Sequence, residues 1–268
     1  MTMDDSPTQP LASWPRPHYD RTSGEAFLFF AIFGQMPSVE MLPAMSSERY
    51  RSLGATGGLT CRRIDGEAMA SLREGAGYAW RQFEGNDPET ARRVRESPTC
   101  LIVEGTVDDP ADLDYLRDAV GMVTFLLDHG GVAVLDPQIL TWWRAEDWRR
   151  HIFGPGPSAP ALSRQVAILA SEDETMPGRL WLHTRGLRKF ARPDLSLRGA
   201  PEPLPKSAVD LIRRFIGLQI LGGQVLEGHQ IRISGLPDGM TCHHAGDLED
   251  PDFNNVHIEI RWPRDVKA

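Results

Sequence analysis

The chain has 268 residues, and its 29 Lys and Arg residues against 37 Asp and Glu residues give a formal net charge of −8. This length corresponds to about two domains or one large one, and it is sufficient for a core without disulfide staples. The acidic balance argues against a general binder of phosphate backbones, so we expect no nucleic-acid partner. The cysteines, Cys61, Cys100 and Cys242, are far apart and form no Cys-x-x-Cys pair, which is typical of a reducing compartment.

We do not expect the first residues to be a secretory signal. Residues 1–20 contain Asp4 and Asp5, and they lack the basic start and apolar stretch of a secretory signal. Residues 1–23, rich in Pro, Ser, Thr and Asp, predict a flexible N-terminal arm or one that is draped over a domain. The longest apolar run, Ala26 to Phe33, is far shorter than the roughly 20 residues that span a bilayer. We therefore expect a cytoplasmic protein with no membrane partner.

Residues 24–153 predict an N-terminal α/β lobe. The run from Ala26 to Phe33 is short and rich in phenylalanine, which favours a buried strand over a helix. Residues 38–53 predict a helix that begins near Ser38 and ends at the glycines that follow. Residues 59–64 predict a second strand, although two arginines interrupt its apolar pattern.

Residues 100–135 predict a strand–helix–strand unit. Residues 101–103 form the first strand, and Asp109-Pro110 is typical of a helix start, with an N-cap followed by proline. The apolar positions of the helix recur at spacings of three and four and share one face: Leu113, Leu116, Val120, Val123 and Leu127. Gly130-Gly131 ends the helix, and residues 132–135 return as a strand.

Residues 139–150 predict a helix whose tryptophans, Trp143 and Trp148, pack on the sheet. The interleaved arginines offer an alternative, because Arg and aromatic rings together also anchor interfaces. The Pro/Gly-rich stretch within residues 154–162 predicts a linker, because proline and glycine sustain neither a helix nor a ladder of strand hydrogen bonds.

Residues 163–268 predict a C-terminal α+β lobe with a polar, His- and Asp-rich segment. Strands are expected at 166–170, 180–185, 225–233 and 256–262, and a helix at 207–221 with a capping box formed by Ser207 and Asp210. The alternation in the last strand is typical of an antiparallel sheet with one wet face. The fold class is therefore α+β, with mixed, mainly antiparallel sheets and helices on one face. Two ferredoxin-like or related α/β sandwich lobes fit this order of elements, and so does one continuous mixed sheet.

The chain lacks the common nucleotide-binding and hydrolase motifs, so candidate chemistry rests on a histidine-rich set in the C-terminal lobe. In an enzyme, a histidine would act as general base and Arg185 would bind an anion. Cys242, His243, His244 and Asp247 offer zinc-type donors, and a divalent metal would make the reaction metal-assisted hydrolysis. Histidines that bond loop backbone, or that bind a ligand without metal, are the alternatives, and no cofactor is otherwise implied. The candidate catalytic residues are His183, Arg185, His243, His244, Asp247, His257 and Glu259.

A basic stretch follows the predicted strand at 180–185. Arg185, Arg188, Lys189 and Arg192 offer guanidinium and ammonium groups to a phosphate or carboxylate. The alternative is a loop whose arginines pair with the acidic segment at 247–252.

The stretch Gly186-Leu187-Arg188-Lys189-Phe190-Ala191-Arg192-Pro193-Asp194, followed by a helix and Val225-Leu226-Glu227-Gly228-His229, resembles an uncharacterised family of bacterial domains. That pattern runs Gly-apolar-x-x-Phe-Gly-x-Pro-acidic, and Ala191 replaces its second glycine. The resemblance covers about 50 residues of this chain and implies an α+β fold. It implies no activity, because no catalytic residues are established for the family.

Two functions fit these observations. The first is a non-enzymatic binding or regulatory protein, of which an immunity-type protein is one form, with another bacterial protein as its partner. The acidic charge, the missing catalytic motifs and the resemblance motivate it. The second is a hydrolase or other small-molecule enzyme that uses the histidine-rich set.

Overall fold

The computed structural model describes residues 11–36, 45–154 and 161–263, and within them the chain forms two five-stranded sheets with helices. The first sheet and its helices comprise β1 (Glu25–Gly34), β2 (Leu59–Ile64), α1 (Gly66–Gly75), α2 (Gly77–Asn86), α3 (Pro88–Arg95), β3 (Thr99–Asp108), α4 (Asp114–Asp128), β4 (Gly131–Asp136), β5 (Thr141–Arg144) and the short α5 (Ala145–Trp148). The second comprises β6 (Ala167–Glu172), β7 (Arg179–Arg185), β8 (Asp194–Pro201), α6 (Lys206–Ile220), β9 (Cys242–Ala245) and β10 (His257–Arg261). The predicted α+β class is confirmed.

The first sheet has the order β2-β3-β1-β4-β5, and all neighbouring strands are antiparallel. Alternation along β1 sends Phe30 and Ile32 into the core that α4 covers, and Ala31 and Phe33 into a second core under α1, α2 and α3. Helices therefore cover both faces of this sheet, which corrects the expectation of helices on one face. The element order also differs from the β-α-β-β-α-β order of a ferredoxin-like lobe, so that part of the prediction is wrong.

The second sheet has the order β6-β7-β8-β10-β9, with β8 and β10 parallel and the other pairs antiparallel. It is the mixed, mainly antiparallel sheet that the sequence predicted. Leu211, Ile212 and Ile216 of α6 are buried in the same core as Ile258 and Ile260 of β10. That core continues without a break into the core of the first sheet under α4. The two sheets therefore share one hydrophobic interior.

The predicted helix at 38–53 is wrong where the chain is described. Residues 37–44 lie outside the described ranges, and residues 45–53 form only a 3-10 turn, Glu48–Tyr50. The sequence analysis also failed to predict α1, α2 and α3, which are short and bury between one and three residues each. Their buried residues pack in one core with the sheet, and this tertiary contact stabilises helices of eight to ten residues that are too short to be stable alone.

The predicted helix at 139–150 is half wrong. Residues 141–144 pair with β4 as an edge strand, and helix begins only at Ala145. A Thr-Trp-Trp run fits a pleated surface because β-branched and aromatic side chains pack well there. Trp148 is fully buried and its Nε1 donates to Thr124 Oγ1 at 3.1 Å, so the packing expectation holds for that ring.

Three further local predictions are wrong. Asp109 does not cap α4, which starts at Asp114 with Leu113 at the N-cap, because the Asp109 carboxylate is used in a buried ion pair. Ser207 forms no capping box, since its hydroxyl donates to the Gly235 carbonyl. Residues 225–233 form no strand beyond an isolated bridge at Gln230.

Residues 11–23 lie against both lobes, as in the draped alternative for the N-terminal arm. Leu113 N donates to the Trp14 carbonyl, and His18 N donates to the Leu221 carbonyl at the end of α6. Trp14 is buried in the shared core. Residues 1–10, and residues 155–160 of the predicted linker, lie outside the described ranges. Across those ranges, no helix has the length and hydropathy that crossing a membrane requires.

Candidate functional site

The basic stretch lies in a short turn between β7 and β8, at the junction of the two sheets. Gly186 (φ 111) reverses the chain after β7, and a Cβ there would come within 2.6 Å of the Gln165 carbonyl oxygen, so this position requires glycine. A 3-10 turn over Leu187–Phe190 follows and packs against β1. Ala191 has φ 53, the left-handed conformation in which glycine is at ease, and the resembling pattern has glycine at this position.

Lys189 and Arg192 do not face solvent as an anion site requires. Lys189 is fully buried, and its Nζ donates to the Asp136 carboxylate and to Gln165 Oε1. Burial raises the pKa of Asp136 and lowers the pKa of Lys189, while their mutual attraction opposes both shifts. Arg192 Nη1 lies 2.9 Å from Asp109 Oδ2. Lys189 and Arg192 therefore each have a buried carboxylate partner, although Arg192 is also among the residues that line a cavity described below.

Arg185 and Arg188 remain available. Arg185 is only 7% exposed, its Nη1 donates to the Asp252 carbonyl, and its Nε has no hydrogen-bond partner among the described residues. Arg188 places its guanidinium 4.9 Å from the centre of the Phe27 ring and donates to the Asn254 carbonyl at 2.9 Å. Both arginines therefore donate to backbone carbonyls within residues 252–254. This resembles the alternative prediction, in which arginines of this stretch pair with the acidic segment at 247–252, but the acceptors are carbonyl oxygens.

Both arginines line a groove between the two sheets, which we call the interlobe groove. It consists of two adjoining cavities of about 530 and 300 Å³ that share Phe27, Arg188 and Leu248. Residues of the first sheet line one side and the β7–β8 turn lines the other. The larger cavity is lined by residues that include Gly24, Gln219, Gln224, His244, Val256 and His257. The smaller cavity is lined by residues that include Phe29, Leu72, Gln138, Arg185, Asp194 and Phe253.

Unsatisfied polar atoms concentrate at this groove. Among the described residues, eight buried side-chain nitrogen or oxygen atoms lack a hydrogen-bond partner, and four of them belong to residues that line the two cavities. They are Gln138 Oε1, Arg185 Nε, Gln219 Oε1 and His257 Nδ1. Because buried polar groups are nearly always hydrogen-bonded in folded proteins, a concentration of unpaired ones indicates a place where water or a ligand completes the structure.

The rings of His183 and His257 both contact Phe253. The His257 ring stacks on Phe253 at a centroid distance of 4.3 Å, and His183 meets it edge-on at 5.8 Å while stacking on Trp181 at 3.9 Å. Burial, reinforced by the charge of Arg185, lowers the pKa of His183 to about 4, and burial also lowers the pKa of His257. Both imidazoles are therefore held neutral in an aromatic stack.

Asp194, the first residue of β8, is fully buried. Its carboxylate accepts hydrogen bonds from the Thr184 hydroxyl, the Leu187 backbone N–H and the Asn255 side chain. Burial raises the pKa of Asp194 to about 6, against the lowering effect of these donors. The acidic residue of the resembling motif thus orders the turn from within.

The other predicted residues bond neighbouring loops, and of them only His244 lines a cavity of the groove. His243 Nδ1 lies 2.8 Å from Glu227 Oε1, and His244 Nε2 lies 2.7 Å from the Val225 carbonyl oxygen, as expected of histidines that bond the backbone and neighbouring loops. Cys242 is buried in the core, and Asp247 Oδ1 accepts from the Glu249 backbone N–H.

The seven candidate catalytic residues therefore divide into those at the interlobe groove and those away from it. Glu259 pairs with Arg261 and sits opposite His243 in the β9–β10 ladder. Within the described ranges, no three His, Cys, Asp or Glu side chains come together as a metal site, so Cys242, His243, His244 and Asp247 do not converge as predicted. Of the candidates, His244 and His257 line the larger cavity and Arg185 lines the smaller one, while His183 contacts the lining residue Phe253.

Comparison with protein-family models, with curated proteins and with solved structures finds no match to this chain. The resemblance to an uncharacterised bacterial domain family therefore stays a prediction. Sequence reasoning missed Phe27, Phe29, Gln138 and Gln219 as groove residues. The only available signal was alternation in β1, which sends Phe27 and Phe29 to the face opposite Leu28, but not which helices leave that face open.

Proposed function

We propose that this protein is a non-enzymatic binding protein that receives a segment of another protein in the interlobe groove. The observation that carries this proposal is the groove itself: aromatic walls combined with four residues whose buried polar atoms lack partners. Apolar walls with a few converging polar groups are the usual composition of a binding site.

Exposed apolar side chains at the rim support a protein partner. Leu248 is 50% exposed and Val256 is 39% exposed, and both line the larger cavity. Leu226, 61% exposed, follows the lining residue Val225. A single exposed leucine is ordinary, but several beside one groove form the apolar centre that protein interfaces have.

The charge of the chain indicates what kind of partner suits this surface. A net charge of −8 attracts a basic protein and accelerates their encounter. In the immunity-type form of the proposal, this protein covers the active surface of a basic bacterial protein in the cytoplasm.

The hydrolase alternative has less support. Convergence of His183 and His257 on Phe253 favours it, but the lowered pKa of His183, about 4, makes that imidazole a weak base at neutral pH. His243 and Asp247 are engaged with other loops.

Site-specific photo-crosslinking in native cells tests the proposal. A photoreactive amino acid at Leu248 should capture one stoichiometric protein, whereas the same group at Leu53, which is 53% exposed and lines neither cavity, should not. Leu248→Asp should remove that protein from pull-downs, and Leu53→Asp should retain it. Equal capture at both positions, or no stoichiometric protein at Leu248, would overturn the proposal.

A further inference from the structure

We infer that the smaller cavity of the interlobe groove binds the C-terminal carboxylate of the partner polypeptide, together with the apolar side chain of its last residue. This inference rests on the proposed function and names the part of the partner that is recognised.

The carboxylate partner is Arg185. This residue is only 7% exposed, and it lines the smaller cavity. Its Nε has no hydrogen-bond partner among the described residues. Arg188 adds a second guanidinium to the same cavity, whereas the one carboxylate in the lining, Asp194, already accepts three hydrogen bonds. The lining charge is therefore 2 − 1 = +1 in a chain of −8. A guanidinium with an unused N–H is the group that best binds a carboxylate in a poorly hydrated site.

The second polar atom of the cavity is an acceptor. Gln138 donates through Nε2 to the Phe27 carbonyl at 2.9 Å, which orients the amide and leaves Oε1 buried without a partner. An anion alone does not satisfy an acceptor. The backbone N–H of a terminal residue does, because it lies one atom from the Cα that bears the carboxylate.

The walls between these polar atoms are apolar. Phe27 and Phe29 come from β1, Phe253 from the loop before β10, and Leu72 and Pro137 complete the lining. A volume of about 300 Å³ is at the small end of ligand pockets and suits one residue rather than a folded element. A leucine or phenylalanine side chain would fill it.

The larger cavity continues from the smaller one and explains why the occupant is a chain rather than a free acid. The two share Phe27, Arg188 and Leu248, so the residues that precede the terminus have a path into the 530 Å³ cavity. There Gln219 Oε1 is a further buried acceptor without a partner, available to a backbone N–H of the incoming segment.

N-acetyl-L-phenylalanine reproduces the proposed terminus, since it carries the carboxylate, the amide N–H and an apolar ring. In a titration of the ¹⁵N-labelled full-length protein followed by NMR, we expect it to shift the amides of Gln138 and residues 185–188 and 252–254. The matched carboxamide, N-acetyl-L-phenylalaninamide, should bind at least about tenfold more weakly, because a charge-assisted hydrogen bond is lost. Equal binding of the acid and the carboxamide, or no shift at these residues, would overturn the inference.

Two variants locate the contacts. Arg185→Gln should abolish the preference for the acid over the carboxamide, and Gln138→Leu should weaken both probes about fivefold or more, since each uses the amide acceptor. Arg261→Gln, an exposed arginine outside the cavities, is the matched control and should bind as wild type does. If Arg185→Gln fails to fold, the acid-to-carboxamide ratio in wild type and Gln138→Leu still decides the question.

Acetylated tetrapeptides ending in phenylalanine separate a chain terminus from a free acid. A free C-terminus should bind more tightly than N-acetyl-L-phenylalanine, and the same peptide amidated at its C-terminus should not. If the tetrapeptide binds no better than the single residue, the occupant of the cavity is a small carboxylic acid and the inferred polypeptide terminus is wrong. Cross-linking of a partner at Leu248 without binding of either probe would overturn this inference alone, whereas probe binding without a cross-linked partner would overturn the proposed function.

Discussion

Arg16 Nη1 lies 2.7 Å from Asp109 Oδ1, and both side chains are completely buried, although 93 residues separate them in the chain. Arg192 reaches the other oxygen of the same carboxylate at 2.9 Å. One aspartate at the end of β3 therefore binds the N-terminal segment and the C-terminal lobe together. The backbone carbonyl of Phe190 accepts from Arg16 Nη2 as well, which ties this ion network to the turn that borders the groove.

Asp109→Ala should lower the free energy of unfolding by about 3–5 kcal/mol, because it leaves two buried guanidinium groups without their counter-charge. Urea denaturation monitored by circular dichroism measures this change. Glu96→Ala removes an exposed ion pair with Arg92 and should cost about 0.5 kcal/mol or less. Similar losses in the two variants would contradict a structural role for the buried network.

Lys189→Met should destabilise the protein by about 3–5 kcal/mol, because the buried Asp136 carboxylate loses its only cation among the described residues. The double variant Asp136→Asn with Lys189→Met carries no buried charge at this position and should recover at least half of that loss. A double-mutant cycle of unfolding free energies provides the coupling. Strictly additive losses would contradict the pairing, as would a Lys189→Met protein as stable as wild type.

Ala191→Gly should stabilise the protein by about 0.5–1 kcal/mol. A non-glycine residue at φ 53 costs about 1–2 kcal/mol of strain, which the substitution removes. The greater freedom of glycine in the unfolded chain offsets about 0.5–1 kcal/mol of this stabilisation. The matched control is Ala68→Gly, at an exposed position inside α1, which should lose about 1 kcal/mol. Thermal and urea unfolding of both variants check the opposite signs, and destabilisation by Ala191→Gly would show that its methyl group contributes packing.

His183→Phe should make the protein less sensitive to acid. Burial lowers the pKa of His183 from an ordinary 6.5 to about 4, so between these values the unfolded chain binds a proton that the folded state does not. The stability that this residue contributes is fully present above pH 6.5 and is lost as the pH falls toward 4. Relative to wild type, His183→Phe should therefore gain about 2 kcal/mol between pH 7 and pH 5.

Urea unfolding at both pH values measures this difference. Phenylalanine retains the stacking on Trp181 and also removes the unpaired Nδ1 atom. His229→Gln, which replaces an exposed histidine, is the control variant. An unchanged pH dependence in His183→Phe would mean that His183 titrates in the folded state as it does in the unfolded chain.

Local patterns predicted the elements that bury one clear face. The phenylalanine run of β1, the spaced apolar residues of α4 and the alternation in β10 each occur as the sequence indicated, because burial of these residues stabilises only one local conformation. Prediction failed at α1 to α3 and at Thr141–Arg144. There the local pattern is weak or ambiguous, and contact with the rest of the sheet selects the conformation.

The candidate site divides in the same way. The sequence by itself determined that a basic stretch follows the strand at 180–185, since residue type and neighbouring pattern suffice for that. Only the tertiary structure decided which basic side chains form ion pairs with Asp109 and Asp136, and which basic side chains are left to bind a ligand. Ion pairs between residues 53 to 93 positions apart depend on how the two sheets pack, and no spacing along the chain encodes that. The groove has the same origin, because its walls come from both sheets and exist only once these have docked.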